Sequence, residues 1–244
     1  FAPFVATAAG VPMLIGCYDV PVVHVKVQGV FTNTVPVDAY RGAGRPEAIY
    51  AIERLLDAAA YDLGISPAEI RRRNFIPPNA MPFETVLGSV YDSGEFARNL
   101  EDALQISRWE DFEARREAAK AKGKLRGIGL ASYIEKCAGG SPEEARLEVS
   151  SDGHVTLYIG TQSNGQGHET AFRQIISERL GISFEEISIV QGDSDRIETG
   201  GGTMGSRSVP VGGSAISATA AILIEKAKLK AAEMLETAID DIEF

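Results

Sequence analysis

The chain has 244 residues, with 24 Lys and Arg against 34 Asp and Glu, 44% hydrophobic residues and a formal net charge of −10. That length is about 1.6 times the usual domain prior, so one large domain or two modest ones can build a full core, and a disordered tail is excluded. The acidic balance makes nucleic acid and anionic lipid poor partners, and no apolar run approaches the about 18 residues of a membrane span. Cys17 and Cys137 form no C-x-x-C pair, which argues against a disulfide framework or a zinc or iron–sulfur site held by this chain alone and suits a reducing, cytoplasmic compartment. The sequence opens at Phe1 without Met or a basic signal region and reads as a piece of something longer.

In chain order, Val22 to Val30 alternates as a strand does. After the Ala39–Arg45 loop, Pro46 suits a first helical turn, and Ile49, Ile52, Leu56, Ala59, Ala60 and Leu63 mark an apolar helix face that stops at Gly64. Ser66-Pro67-Ala68-Glu69 has capping-box spacing for a short helix, on which Arg71, Arg72 and Arg73 read as a solvated face. The Pro-rich stretch from Pro77 to Pro82 reads as a linker. Two polar helices are expected next, one opening near Ser93 and one at Ser107, with Glu110 completing a second capping box, Trp109 and Phe112 pinning it, and Gly123 ending it. Ile128–Ile134, Ala145–Val149 and His154–Ile159 read as three antiparallel strands, the last two joined by the Asp152-Gly153 turn. A helix from about Glu169 to Leu180, with Phe172, Ile175, Ile176 and Leu180 inward and Gly181 as its stop, precedes the strand Ile187–Val190 and a long helix from about Val211 to Thr237. The expected class is α+β, with antiparallel sheets packed against helices in two subdomains.

Three glycine-bearing segments could hold an anion. Asn164-Gly165-Gln166-Gly167 lies between a strand end and a helix start, where unpaired N–H groups and the helix dipole favour phosphate. Gln166 and Gly167 stand where a P-loop needs Lys and Ser/Thr, and Thr170 where a Rossmann fingerprint needs its third glycine. Gly202-Thr203-Met204-Gly205-Ser206-Arg207 concentrates hydroxyls, an Arg and accessible N–H groups. Arg41-Gly42-Ala43-Gly44-Arg45 places two arginines before a helix. Each segment alone is nearly as well explained by a tight turn or a flexible loop.

Taken in order, Asp38-Ala39-Tyr40-Arg41-Gly42-Ala43-Gly44-Arg45-Pro46, Gly165-Gln166-Gly167-His168-Glu169-Thr170 and Gly202-Thr203-Met204-Gly205-Ser206-Arg207-Ser208 resemble the molybdenum-hydroxylase large subunit of the xanthine dehydrogenase, aldehyde oxidase and carbon monoxide dehydrogenase family. The resemblance covers nearly the whole chain. It implies the end of a first molybdopterin-binding domain over residues 1–76, a linker with helices over 77–123, and a truncated second molybdopterin-binding domain over 124–244. It implies a pyranopterin holding molybdenum, often as a cytosine dinucleotide in bacteria, with the metal ligated by the cofactor and by no residue of this chain. Asn164, Gly165, Gln166 and Gly167 would then lie against the cofactor, and Thr203, Gly205, Ser206 and Arg207 would hold its phosphates or nucleotide end. Gly42 and Ala43 would sit beside the molybdenum, with Arg41 near the substrate. Carbon monoxide dehydrogenases carry a copper-binding Cys where this chain has Gly42, which argues against copper and CO oxidation here.

The resemblance implies hydroxylation of an aldehyde or N-heterocycle with water as oxygen source, and FAD and 2Fe-2S centres on partner subunits or domains. The family's upstream glycine-rich loop and its downstream base-bearing glutamate segment find no match. The general base is therefore expected outside this chain, with Glu47, Glu135 and Glu169 in structural or capping roles, and the chain alone is expected to be inactive. The alternative reading is a non-catalytic nucleotide- or phosphate-binding module around Gly165 and Gly202, and a weaker one is a structural or assembly segment.

Overall fold

A computed structural model of the chain describes residues 3–244. The chain forms two compact units, Phe1–Glu135 and Lys136–Phe244.

In the first unit a short helix α1 (Val5–Gly10) precedes an irregular stretch and helix α2 (Arg45–Leu63). Pro46 occupies the first turn of α2, Gly44 N donates to Glu47 Oε2 at 2.8 Å, and Gly64 ends the helix at φ 64°. Glu47 thus has the capping role expected of it. Leu63, expected inward, is exposed, whereas Ala60 is buried and Ile52 and Leu56 pack on the core. Helix α3 (Pro67–Asn74) begins at Ser66, whose Oγ accepts from Glu69 N at 3.1 Å. Only that half of the capping box forms, because the Glu69 carboxylate pairs with Arg72 and Arg73. Those two arginines are solvated as expected; Arg71 is a correction, fully buried against Glu53 and Asp57.

Strands β1 (Phe83–Glu84) and β2 (Val90–Tyr91) pair antiparallel, followed by helices α4 (Phe96–Ser107) and α5 (Phe112–Lys120). Ser107 Oγ donates to Leu104 O at 3.1 Å, so the second capping box does not form. The core of this unit gathers Tyr18 stacked on Phe75 at 5.4 Å with Leu100, Leu104, Phe96 and Trp109.

Neither Val22–Val30 nor Ile128–Ile134 is a strand. Val22–Val30 has no regular secondary structure, and Val22 is 82% exposed; alternation supplies an apolar face but no ladder partner among the described residues. In the second segment side chains take the backbone groups: Leu130 O accepts from Arg71 Nη2 at 3.2 Å, and Ser132 N donates to Glu53 Oε2 at 3.0 Å. These bonds tie the 130–132 segment to the first unit, and the compact units divide between Glu135 and Lys136.

In the second unit β3 (Ala145–Val149) and β4 (Val155–Ile159) form the expected hairpin, with Leu147 opposite Leu157 and Gly153 at φ 89° in the turn. Helix α6 (His168–Leu180) ends at Gly181, φ 66°, and β5 (Ile187–Val190) then pairs parallel with β4. The expectation of an all-antiparallel sheet is corrected here. A helical crossover brings the chain back in its original direction, which is the connection a parallel pair needs. The order is β3-β4-β5, so β4 is central, and Val155, Leu157 and Ile159 pack with Phe172, Ile176, Ile187 and Ile216. A π-helical turn (Ser208–Gly213) leads into helix α7 (Ser214–Leu235), which packs on α6 and β3. By length and composition Ser208–Leu235 is apolar enough to cross a membrane, although Glu225, Lys226, Lys228 and Lys230 interrupt any continuous apolar run; Ile216, Ala220 and Ala232 are buried in the unit. The fold class is α+β.

Candidate functional site

Two glycines dictate the geometry at the end of β4. A Cβ on Gly160 would stand 2.1 Å from Gly200 Cα, and one on Gly200 would stand 2.3 Å from Gly160 Cα. Only glycine at both positions lets the two strands of chain touch. Across that contact Gly202 N donates to Gly160 O at 3.2 Å, Gln162 N to Thr203 Oγ1 at 2.9 Å, and Thr203 Oγ1 to Gln162 O at 2.6 Å. The loops 160–167 and 200–207 therefore lie side by side. Asn164, Gly165, Gln166, Gly167, Gly205 and Ser206 are exposed on them, and Thr203 is half-buried.

Arg207 has a different place from the one expected of a phosphate-holding residue: its side chain is 1% exposed and that of Glu143 is 0%. Nη1 donates to Glu143 Oε2 at 2.7 Å and Gly202 O at 3.0 Å, and Nη2 donates to Ser141 O at 2.5 Å and Pro142 O at 2.9 Å. Glu143 Oε2 also accepts from Gly201 N at 3.4 Å. Gly139 N donates to Gly205 O at 3.0 Å, and Ala138 N to Ser206 O at 3.2 Å. The segment 138–143 thus straps the 200–207 loop, with Arg207 as its inner anchor.

A second buried group underlies the Gly165 loop. The Gln166 carboxamide accepts from Asn164 N and donates from Nε2 to Gln162 O at 3.3 Å, and Nε2 stands 3.1 Å from His168 Nε2. His168 is 3% exposed, packs on Phe172 and has its Nδ1 3.3 Å from the Gln191 amide, which also meets Thr161 Oγ1. Burial holds the His168 pKa below the usual histidine range, against a smaller opposing contribution from the Gln191 hydrogen bond. Glu143 and Gln191 escape a motif reading, and His168, though inside the Gly165–Thr170 motif, takes no role of its own from it. His168 had a usable signal, since it precedes Phe172 by one helical turn and so shares the apolar face of α6.

In the first unit, Arg41 is exposed beside the Tyr40 ring, and Gly42 has φ 67°. Arg45 N donates to Gly42 O at 2.8 Å and Arg45 Nη1 to Ala43 O at 3.3 Å, while Arg45 Nε lies 3.6 Å from Glu135 Oε2. Glu135 is accordingly an ion-pair partner. A Cβ on Gly44 would meet Ala6 O at 2.1 Å, so glycine there lets the loop lie against α1. Among the described residues no group of three or more His, Cys, Asp or Glu could hold a metal ion.

A molybdopterin cofactor-binding domain model matches residues 102–244, and a second molybdopterin cofactor-binding domain model matches residues 1–75. The chain belongs to this family. It is 37% identical over 236 residues to the gamma subunit of the 6-hydroxypseudooxynicotine dehydrogenase complex of Paenarthrobacter nicotinovorans, covering 95% of this chain and 30% of that protein. It is also 37% identical to the carbon monoxide dehydrogenase large chain of Hydrogenophaga pseudoflava, covering 94% and 30%. Quinoline 2-oxidoreductase from Pseudomonas putida 86 superposes with a TM-score of 0.86 at 32% identity, over 99% of this chain and 32% of that one. The chain thus spans about 30% of the length of these curated relatives.

Proposed function

We propose that this chain cradles a molybdenum-bearing pyranopterin within an oxidoreductase large subunit that hydroxylates an aldehyde or an N-heterocycle. The observation that carries this reading is the contact of the two glycine loops at Gly160 and Gly200, with exposed backbone on both. Gly165, Gly167 and Gly202 have φ of 89°, 85° and 69°, and nothing lies within 4 Å of the place a Cβ would take. A polyoxygen ligand can therefore approach the backbone of both loops, beside the unpaired first-turn N–H groups of α6. These residues fit a phosphate-bearing pterin, and we propose its cytosine dinucleotide form.

When bound, the cofactor supplies the two-electron oxidation, with water as the source of oxygen. The residues of this chain bind and orient it. Asn164, Gly165, Gln166 and Gly167 approach it along one loop, and Thr203, Gly205 and Ser206 along the other. Arg207 acts from inside, fixing Gly202 through its carbonyl. Arg41, with Gly42 and Ala43, is assigned to the substrate face, where an exposed guanidinium stabilises developing negative charge. Gly42 in place of a copper-binding Cys turns the reading away from CO. The P. nicotinovorans and P. putida relatives, named for a pseudooxynicotine and a quinoline, favour a nitrogen-containing substrate. FAD and iron–sulfur centres belong to partner subunits, electrons leave through them, and the base lies outside these residues. A cytoplasmic setting agrees with the two free cysteines.

The test is molybdenum, pterin and cytidine nucleotide content of the chain purified from cells that make the cofactor. Stoichiometric co-purification is expected, with no turnover of aldehyde or N-heterocycle in the chain alone. Saturable binding of an ordinary nucleoside triphosphate without pterin would establish the phosphate-binding module instead.

A further inference from the structure

The hydrogen-bond polarity around His168 has only one consistent solution. Gln166 and Gln191 both bring a side-chain nitrogen to the ring, at 3.1 Å from Nε2 and 3.3 Å from Nδ1. A neutral imidazole has one donor and one acceptor, so two amide donors cannot both be satisfied. Gln166 is fixed by the backbone: its oxygen receives the Asn164 N–H and its nitrogen gives a proton to the Gln162 carbonyl. Gln191 has no such constraint, because its other contact is the Thr161 hydroxyl, which donates or accepts equally well. Gln191 is therefore the amide that turns its oxygen to the ring, and His168 carries its proton on Nδ1.

We infer that His168 is a positioning residue: as the Nδ1–H tautomer it accepts from Gln166 Nε2 and locks the Gln166 side chain across the 162–167 loop. The Gln191 oxygen and Thr161 hydroxyl set the tautomer from the sheet side, and Phe172 fixes the ring from within α6. This deepens the reading of 160–167 as a cofactor loop and rests on it for its functional meaning. The sequence places a glutamine, a glycine and a histidine together at the start of a helix, and the fold makes the histidine the inner half of a pair whose outer half is exposed.

The experiment uses the 244-residue chain, in which the histidines are His24, His154 and His168. A nitrogen-15 spectrum of the imidazoles at neutral pH, with His168→Phe supplying the assignment, should show Nε2 unprotonated and Nδ1 protonated. The opposite tautomer, or a doubly protonated ring, overturns the inference whether or not the variant folds. Amide exchange then reads the lock itself: 162–167 should exchange about five- to tenfold faster in His168→Phe, the worth of one net hydrogen bond. His168→Gln restores an acceptor and should restore most of the protection, with α7 unchanged throughout. Equal loop exchange in all forms overturns the positioning role. Titration with cytidine diphosphate separates the two claims, since no shift of the 160–167 and 200–207 amides in a wild type with the expected tautomer sinks the cofactor reading and leaves the Gln166 lock standing.

Discussion

Each unit holds a buried arginine–glutamate pair, and the two pairs are finished differently. In the first unit Glu53 accepts from the Tyr18 hydroxyl at 2.5 Å, from Arg71 Nε at 2.8 Å and from Ser132 N at 3.0 Å, so both carboxylate oxygens are engaged. Arg71 also donates to Pro67 O, Leu130 O and Asp57. In the second unit Glu143 Oε1 and Arg207 Nε are buried without hydrogen-bond partners. A fully satisfied buried pair rigidifies its surroundings, whereas an incomplete one leaves desolvation uncompensated. The difference separates a closed network from one with unsatisfied buried atoms. The Glu53 cluster knits helices and the 130–132 segment into a frame, while the Glu143 pair holds the glycine loop at Gly201 and Gly202.

The largest expected effect follows from that contrast. Removing one partner of a buried ion pair costs about 3–5 kcal/mol, since the other charge stays behind. Glu53→Ala should fall at the top of this range, because it also abandons Tyr18 and Ser132, and Glu143→Ala should fall below it. Denaturant unfolding measures both. Cys17 gives a local readout, since burial, aided by the nearby Glu53 charge, pushes its thiol up to about 12 and keeps it unreactive, whereas Cys137 is exposed. Alkylation of Cys17 should speed up in Glu53→Ala and stay slow in Glu143→Ala. Equal destabilisation with equal labelling would erase the distinction between the two pairs.

Two glycines sharpen the account of the second unit. Gly160→Ala drives a methyl onto Gly200 Cα at 2.1 Å and should cost about 1–3 kcal/mol or more, as overpacking against backbone does, while separating the two loops. Gly165→Ala meets no atom and bears only its left-handed φ of 89°, for about 1–2 kcal/mol, with the loops still in contact. Exchange of Gly202 N–H, which bonds to Gly160 O, distinguishes them: fast in the first variant and unchanged in the second. Rapid exchange in Gly165→Ala would mean that the loops are not held by the Gly160 contact.

Local signals were legible and long-range ones were not. The Asp152-Gly153 turn, the stop at Gly181 and the inward face of Phe172 and Ile176 follow from spacing alone, and the structure has all of them. The parallel pairing of β5 depends on where α6 returns the chain, which periodicity does not encode. Alternation in Val22–Val30 describes a face and says nothing about a neighbouring strand. Motif order placed the Gly165 and Gly202 loops correctly as neighbours, yet Arg207 looked like a ligand-holding cation because its partner Glu143 lies 64 residues away. A buried ion pair of that separation has no sequence signature, and the same holds for Arg71 with Glu53.

The smallest expected effect is a pH dependence that belongs to the second unit. Burial lowers the His168 pKa in the folded state, and the groups that face the ring are the amides of Gln166 and Gln191 and the Phe172 ring, with no charged neighbour contributing to the shift. The unfolded chain therefore binds a proton at this residue before the folded one does as pH falls. The stability that His168 contributes is fully present above its unfolded pKa of about 6.5 and is lost as pH falls toward the lower folded value. Unfolding free energy measured from pH 7.5 downward should decline with a slope of less than one proton from this site, on top of the carboxylate titrations that begin at lower pH. His168→Phe should remove that upper segment of the slope and leave the lower limb intact. Protonation also places an N–H opposite the Gln166 amide, so exchange at 162–167 should rise over the same interval while the Glu53 cluster of the first unit stays protected. An identical slope in wild type and His168→Phe would place the titrating group elsewhere and remove His168 from the account of the loop.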